Sequence, residues 1–450
     1  MNPFTSIPEA SSAIHAREIS CVELLQATFD GIAAWEPHVE ALLDRAFERA
    51  MTRAHQLDEE LEAGQSRGPL HGIPLVIKDL IDVEGMITTA GSKLLADNIA
   101  TSDARIVRRL IEAGAVVPAK ANTHEFGYGA LTPPTKNPWA LDRMPGGSSG
   151  GPAAAVAARM VLGSIGTDNA GSIREPAALC GVVGLKPTNG LVSDDGVYQL
   201  TWSMGSIGPL AVDVAGARML FDAISGPPAA GMQPSSDRGV RRVGIPTELL
   251  QPSMPYVRSE VERVASVLSD DGLDVFECSI GDLDEAVAVA FLTLGSEALA
   301  IHRNWLDERG EEYSGPVHRY LVLAEAYSAV DYLNAQRLRQ QLKDRVDRLF
   351  EQADILLGPA QLVVAPLLSD SVVRFPTGEE LPRDLTLVRP LIPFSLTGHP
   401  ALSLPVGLQE GMPIGVQLVA PLFAERVLLD FAVALEGMVG WGFPAPAVPG

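Results

Sequence analysis

Short unbroken apolar runs, separated by longer helix-patterned stretches, constrain this chain more than any other feature. The runs are Ile73–Ile77, Ala115–Ala119, Val161–Ile165, Val243–Ile245, Ile355–Leu357, Leu402–Pro405 and Val416–Val419. Runs of this kind suit strands covered on both faces. Between them the spacing predicts helices over Ala104–Glu112, Pro152–Met160, Val257–Leu268, Tyr327–Phe350 and Ala424–Leu435. The first ~60 residues also read as helical, with Val22, Leu24, Leu25, Ala27, Phe29 and Ile32 recurring near helical spacing. Alternation of this sort predicts an α/β fold with a largely buried, mixed sheet. Residues 285–352 carry helical pattern with few turn signals and read as a cap or insertion. No internal repeat and no Gly/Ser/Pro-rich linker divides the chain. The expectation is one domain over 1–450: N-terminal helices in 1–65, a catalytic core in 66–225, a helical elaboration in 226–352, and a return to the sheet in 353–450.

Composition narrows the function. The 450 residues allow about three domains or one large α/β unit. The net charge of −22 repels phosphate backbones and anionic lipid, so neither nucleic acid nor membrane is expected as a partner. Cys21, Cys180 and Cys278 are far apart and form no CxxC pair. An odd, low cysteine count fits a reducing compartment. The first residues lack a basic segment followed by an apolar one, and no long uncharged apolar run follows, so a cytoplasmic location is expected. The eight histidines show no ligand spacing, and no metal or cofactor is expected.

Three motifs carry chemistry. Lys78 ends the run Ile73–Ile77, so its stem enters the core. Burial disfavours the ammonium form, and a neutral lysine is a competent general base. The alternative is a strand-end lysine that reaches solvent and pairs with Asp79 or Asp82. Next, Gly146-Gly147-Ser148-Ser149-Gly150-Gly151 precedes an alanine-rich helix, which places two hydroxyls near a helix N-terminus. The alternative is an ordinary Gly/Ser loop. Third, Gly166-Thr167-Asp168-Asn169-Ala170-Gly171-Ser172-Ile173-Arg174 follows a strand. A serine on such a turn can be a nucleophile, and consecutive amides there can hold an oxyanion. Asp168 and Arg174 can pair across the turn, either to shape the site or as a plain structural ion pair. A serine nucleophile needs a base and a turn with free amides, and one segment supplies both.

These residues resemble the amidase signature family of Ser-cisSer-Lys amidohydrolases. The likeness spans PGGSSGG through GTDNAGSIREPAALCGVVGLKPTNG at 145–190. It extends to HGIPLVIKD at 71–79, ANTHEFGYG at 121–129, PFSLTGHPALSLPVG at 393–407 and PIGVQLVAP at 413–421. The resemblance implies the amidase signature fold: a large mixed central β-sheet covered by helices on both faces, with a helical elaboration. It implies Lys78 as base, Ser148 as bridging serine on a cis Gly147–Ser148 peptide, and Ser172 as nucleophile. The oxyanion amides would be those of Asn169, Ala170, Gly171 and Ser172, with Ser149, Asp168 and Arg174 in support. It also implies no metal, no cofactor, a small-molecule amide-type substrate and a homodimer.

Three positions depart from the family pattern. Ala170 stands where glycine is usual, Gly205 where an acidic residue is usual, and Ser395 where asparagine is usual. Ala170 would be strained if its φ were positive. The leading expectation is hydrolysis of a small-molecule C–N bond (amide, or of urea or carbamate type) through an acyl-enzyme on Ser172. One alternative is the glutaminase-type A subunit of a tRNA-dependent amidotransferase. Others are an α/β-hydrolase-like protein with Ser148 in Gly146-x-Ser148-x-Gly150 and His399 as base, and a non-catalytic relative.

Overall fold

The computed structural model describes residues 4–226, 239–442 and 444–449. Its strands are β1 Leu42–Arg45, β2 Pro74–Lys78, β3 Val116–Ala121, β4 Gly163–Asp168, β5 Val183–Lys186, β6 Ser206–Ala211 and β7 Arg242–Pro246, then β8 Asp274–Cys278, β9 Ile355–Pro359, β10 Val372–Arg374, β11 Glu380–Pro382, β12 Ala401–Gln409 and β13 Met412–Val419. Eleven form one sheet in the order β1-β3-β2-β4-β6-β5-β12-β13-β9-β7-β8, and β10 and β11 make a separate hairpin. The large sheet is mixed: β2 runs parallel to β3 and β4, whereas β4 and β6 are antiparallel. Every residue of β2, β3, β4, β5, β6, β9 and β13 is buried. Successive side chains on a strand point to opposite faces, so both faces of the sheet are covered.

Helices supply the cover. Ile7–His15, Cys21–Val39 and Phe47–Glu62 precede the core, with only the four-residue β1 between them. Ser20 caps the second through a reciprocal capping box with Glu23. The expected helix at Pro152 begins two residues earlier, as Gly150–Ala157. A Cβ on Gly151 would lie 2.5 Å from the backbone of Asn122, so glycine lets the helix sit on that chain. The strand expected at Val161–Ile165 is displaced onto Gly163–Asp168 and thereby carries Thr167 and Asp168.

Residues 227–238 of the expected helical elaboration lie outside the described residues. Arg242–Cys278 is not purely helical: β7 and β8 flank the helix Pro255–Asp270 and extend the sheet edge beyond β9. The all-helical part is Leu283–Arg309, Gly315–Ala324 and Ala329–Leu349. Leu283–Arg309 is long and apolar enough to cross a membrane by composition, but it packs on the other two helices and most of its apolar window is buried. Leu294, Ala298 and Leu321 from these helices share a buried cluster with Leu80, Phe126 and Tyr128. That cluster joins the helical region to the loops at the ends of β2 and β3.

Candidate active site

β2 and β4 are parallel neighbours, with Val76 beside Ser164 and Ile77 beside Ile165. Their carboxyl ends therefore bring Lys78 next to Thr167 and Asp168, at the place where open parallel sheets form crevices. Lys78 is fully buried. Its Nζ lies 2.7 Å from Ser148 Oγ, 2.8 Å from Ser149 Oγ and 2.8 Å from Thr167 Oγ1. Burial pushes this amine well below lysine's ordinary range, and the Asp168 charge offsets only part of that push. The expected alternative, a lysine paired with Asp79, is not what forms. Asp79 faces Lys120 at 3.1 Å instead.

The Gly/Ser segment is held from several sides. Gly147 N donates to Glu175 Oε2 at 2.7 Å, and Thr132 Oγ1 donates to Gly146 O at 2.9 Å. His124 N donates to Ser148 O, and Ser149 N to Ser172 O, both at 3.2 Å. The Gly147–Ser148 peptide is cis. A Cβ on Gly147 would fall 2.5 Å from Leu131 O, so only glycine fits this approach. Ser149 Oγ donates to Thr167 O at 3.0 Å, which leaves Ser148 as the hydroxyl not tied to the β4 backbone.

The turn after β4 is built around Asp168. Its carboxylate accepts from Gly171 N at 2.7 Å, Ile173 N at 3.2 Å, Arg174 Nε at 3.0 Å and Arg174 Nη2 at 3.1 Å. Burial would raise its pKa, but the Arg174 guanidinium and these donors leave it lowered. Arg174 also donates to Leu391 O, Gln417 Oε1 and Ser395 Oγ. Gly171 has φ +128°, and a side chain there would strike Leu391. Ala170 has no positive φ, so its extra methyl carries no backbone strain. Among the four expected oxyanion amides, Gly171 is the exception: its N–H is already committed to Asp168. The amides of Asn169, Ala170 and Ser172 donate to no other described group.

Ser172 is nearly buried and opens onto a cavity of about 490 Å³ that Tyr128, Ala170, Leu294 and Tyr327 also line. The Lys78–Ser148 link is formed. The Ser148–Ser172 hydrogen bond is not among those formed, although both serines belong to the same loop cluster.

Sequence reasoning missed the roles of Thr167, Glu175 and Gln417, and marked Ser395 only as a departure. Thr167 could have been found from its place one residue before Asp168. Ser395 takes a hydrogen bond from Arg174 at 2.7 Å, which explains how serine serves at a position where asparagine is usual. At Gly205, an added Cβ would lie 2.9 Å from Thr201 O and 3.3 Å from Asn169 Oδ1, so a side chain here requires this loop to shift. One alternative is corrected. His399 is not brought to Ser148: its Nδ1 meets Thr397 Oγ1 at 2.9 Å, its Nε2 lies 3.0 Å from Asp347, and its ring packs on Phe350. Glu125, in the string ANTHEFGYG, accepts from Ser92 Oγ and Ser314 N, both at 2.7 Å, and so ties the helical region to the β3 end.

A mixed sheet of this order, with a buried lysine, two serine turns and free turn amides at its strand ends, defines an amide-cleaving α/β enzyme. The chain belongs to the Amidase family, whose model matches residues 23–429. The A subunit of glutamyl-tRNA(Gln) amidotransferase from Chloroflexus aurantiacus is 35% identical over 486 residues, covering 98% of each chain. A solved structure described as an amidase shares 35% identity at a TM-score of 0.91, covering 97% of this chain and 100% of that one. The A subunit of glutamyl-tRNA(Gln) amidotransferase from Thermotoga maritima gives 30% identity and a TM-score of 0.77, covering 96% of this chain and 98% of that one.

Proposed function

We propose that the protein hydrolyses a small-molecule C–N bond through an acyl-enzyme on Ser172. The observation that carries this reading is Lys78: fully buried, held by three hydroxyls, one of them Ser148 at 2.7 Å. Neutral Lys78 accepts the Ser148 proton while Ser148 accepts that of Ser172. Ser172 Oγ bonds to the carbonyl carbon, and the oxygen takes up the electron pair. The amides of Asn169, Ala170 and Ser172 stabilise that oxyanion. The proton returns through Ser148 to the leaving nitrogen as the C–N bond breaks. Water, deprotonated by the same relay, then releases the acid. The missing Ser148–Ser172 hydrogen bond is expected to close with substrate in place, because catalytic hydrogen bonds tighten in the Michaelis complex.

Fluorophosphonate labelling followed by peptide mapping tests this. Label on Ser172, lost in Lys78→Ala, supports the relay. Label on Ser148, or full activity in Ser172→Ala, overturns it.

A second reading is a glutaminase-type component of a tRNA-dependent amidotransferase. It is favoured by relatives that bear the name of the glutamyl-tRNA(Gln) amidotransferase A subunit and match nearly end to end. Ammonia release from glutamine that occurs only when partner subunits are present would establish it.

A further inference from the structure

We infer that the substrate carries an extended, uncharged apolar arm beside the scissile amide, and that the helical region supplies the track for it. The inference rests on the catalytic reading above and names the substrate class of that same site. The cavity that Ser172 opens onto is walled by Tyr128, Phe291, Leu294, Leu323, Tyr327 and Val388. Its size falls within the range of small-molecule pockets, about 300–1,000 Å³. Leu294 and Val388 are buried in its depth, and the Tyr128 ring lies 5.2 Å from that of Tyr320. The outer members stay open to solvent: Phe291 is 41% exposed, Leu323 58% and Tyr327 39%. Apolar side chains therefore make up most of the wall, with Asn169, Ser371, Arg383 and Asp384 as its polar members. Such a surface gains nothing from a compact polar substrate and gains from each methylene it covers.

The charged groups in the cavity argue in the same direction. Among its lining residues, Arg383 and Asp384 bear charge, and they pair with each other at 2.9 Å. Arg383 also donates to Asp370 O. The α-carboxylate and α-ammonium of an amino-acid amide would each have to compete with this existing pair for a charged partner.

The test uses the full chain and two homologous series: acetamide to octanamide, and N-methylacetamide to N-octylacetamide. The first lengthens the arm on the carbonyl and the second lengthens it on the nitrogen. Glutamine is assayed beside them, and fluorophosphonate labelling is run on the same preparation. In one series kcat/KM is expected to rise roughly fourfold per added methylene until the rim is reached. Leu323→Asp should cut the long-to-short ratio about tenfold or more. Val433→Asp, an exposed substitution on the helix Glu425–Val439 outside the cavity, should leave it as it is. With Ser172 labelled, flat kcat/KM in both series, or glutamine cleaved faster than the longest amide, overturns the inference and leaves the catalytic reading standing. No cleavage of any amide and no label on Ser172 overturns the catalytic reading, and the inference falls with it.

Discussion

Two regions meet at the cavity and are built by opposite rules. In residues 71–190 the working groups are fully enclosed: Lys78, Ser148, Asp168 and Arg174 have no exposed surface. Their positions are set by backbone amides, carbonyls and glycines that admit no side chain. In the helices between 283 and 349 the surfaces facing the cavity are side chains, several of them half open to water. The difference teaches where each property resides. On the proposed reading the chemistry depends on backbone turns in which some positions, such as Gly147 and Gly171, admit only glycine. On the inference above, selectivity depends on helix faces, where many residue types fold equally well.

The largest expected effects test the enclosed region. Ser172→Ala should reduce amide hydrolysis by a factor on the order of 10⁶, the scale seen when a nucleophile is removed from a working unit. Lys78→Met should also be inactive while remaining folded. The folded-state pKa of Lys78 is lowered, so between that value and lysine's ordinary range the unfolded chain holds a proton that the folded chain lacks. Stability should therefore rise with pH across that window, whereas activity should rise at its lower edge, where the folded amine becomes neutral, and stay level across the rest. Lys78→Met should lose that component of the stability profile. A methionine variant with wild-type turnover, or an activity limb that falls with rising pH there, would contradict the assigned base.

Arg174→Ala should come next. It strands the buried Asp168 carboxylate and removes donors to Leu391 O, Ser395 Oγ and Gln417 Oε1. Breaking a buried pair from one side costs about 3–5 kcal/mol, and urea denaturation should show it. A loss under about 1 kcal/mol would mean that the turn is not held as the hydrogen bonds imply.

The same contrast explains what the sequence discloses. Lys78, the serine turns and the Asp168–Arg174 pair were legible because a turn with such narrow tolerances leaves a long, specific residue string. The fold class was legible in the apolar runs. β5 and β6 were not: Val183–Lys186 is only four residues, and Ser206–Ala211 contains Gly208 and Pro209, which weaken any strand signal. The commitment of the Gly171 amide to Asp168 depends on the turn's dihedral angles, and these have no residue code. The cavity wall was the least legible part. Phe291, Leu323 and Tyr327 are ordinary apolar residues on helices, and only the packing of helix on helix shows that they face one space.

Glu175 sharpens the comparison from within the enclosed region. Burial raises its pKa well above the usual carboxylate range, Asp384 and Asp168 add to that, and the Gly147 hydrogen bond and Arg383 oppose it. The unfolded chain thus loses this proton first. The stabilising contribution is complete below the ordinary carboxylate value and is lost as pH rises toward the folded value. Glu175→Gln keeps an acceptor for Gly147 N and cannot ionise. Its melting temperature should fall less steeply with rising pH than that of the parent chain. Thermal melts across the pH range would show this, and parallel profiles for the two proteins would place the ionisation elsewhere.

The smallest expected effect on stability is at the cavity rim, and it tests the comparison most directly. Phe291→Ser removes an aromatic side chain whose surface is 41% exposed, so only part of its transfer free energy is at stake. Full burial of such a side chain is worth about 1.5–3 kcal/mol, and burial of about three-fifths of it leaves roughly 1–2 kcal/mol. No polar group loses a partner, because a phenyl ring offers none. Chemical denaturation should therefore show a loss roughly two to three times smaller than that of Arg174→Ala. The change should appear instead in the ranking of substrates, with turnover of compact amides less affected than that of long ones. If Phe291→Ser were as destabilising as Arg174→Ala, the helix face would be structural in the same sense as the turns, and the division between a fixed chemical centre and a variable wall would fail.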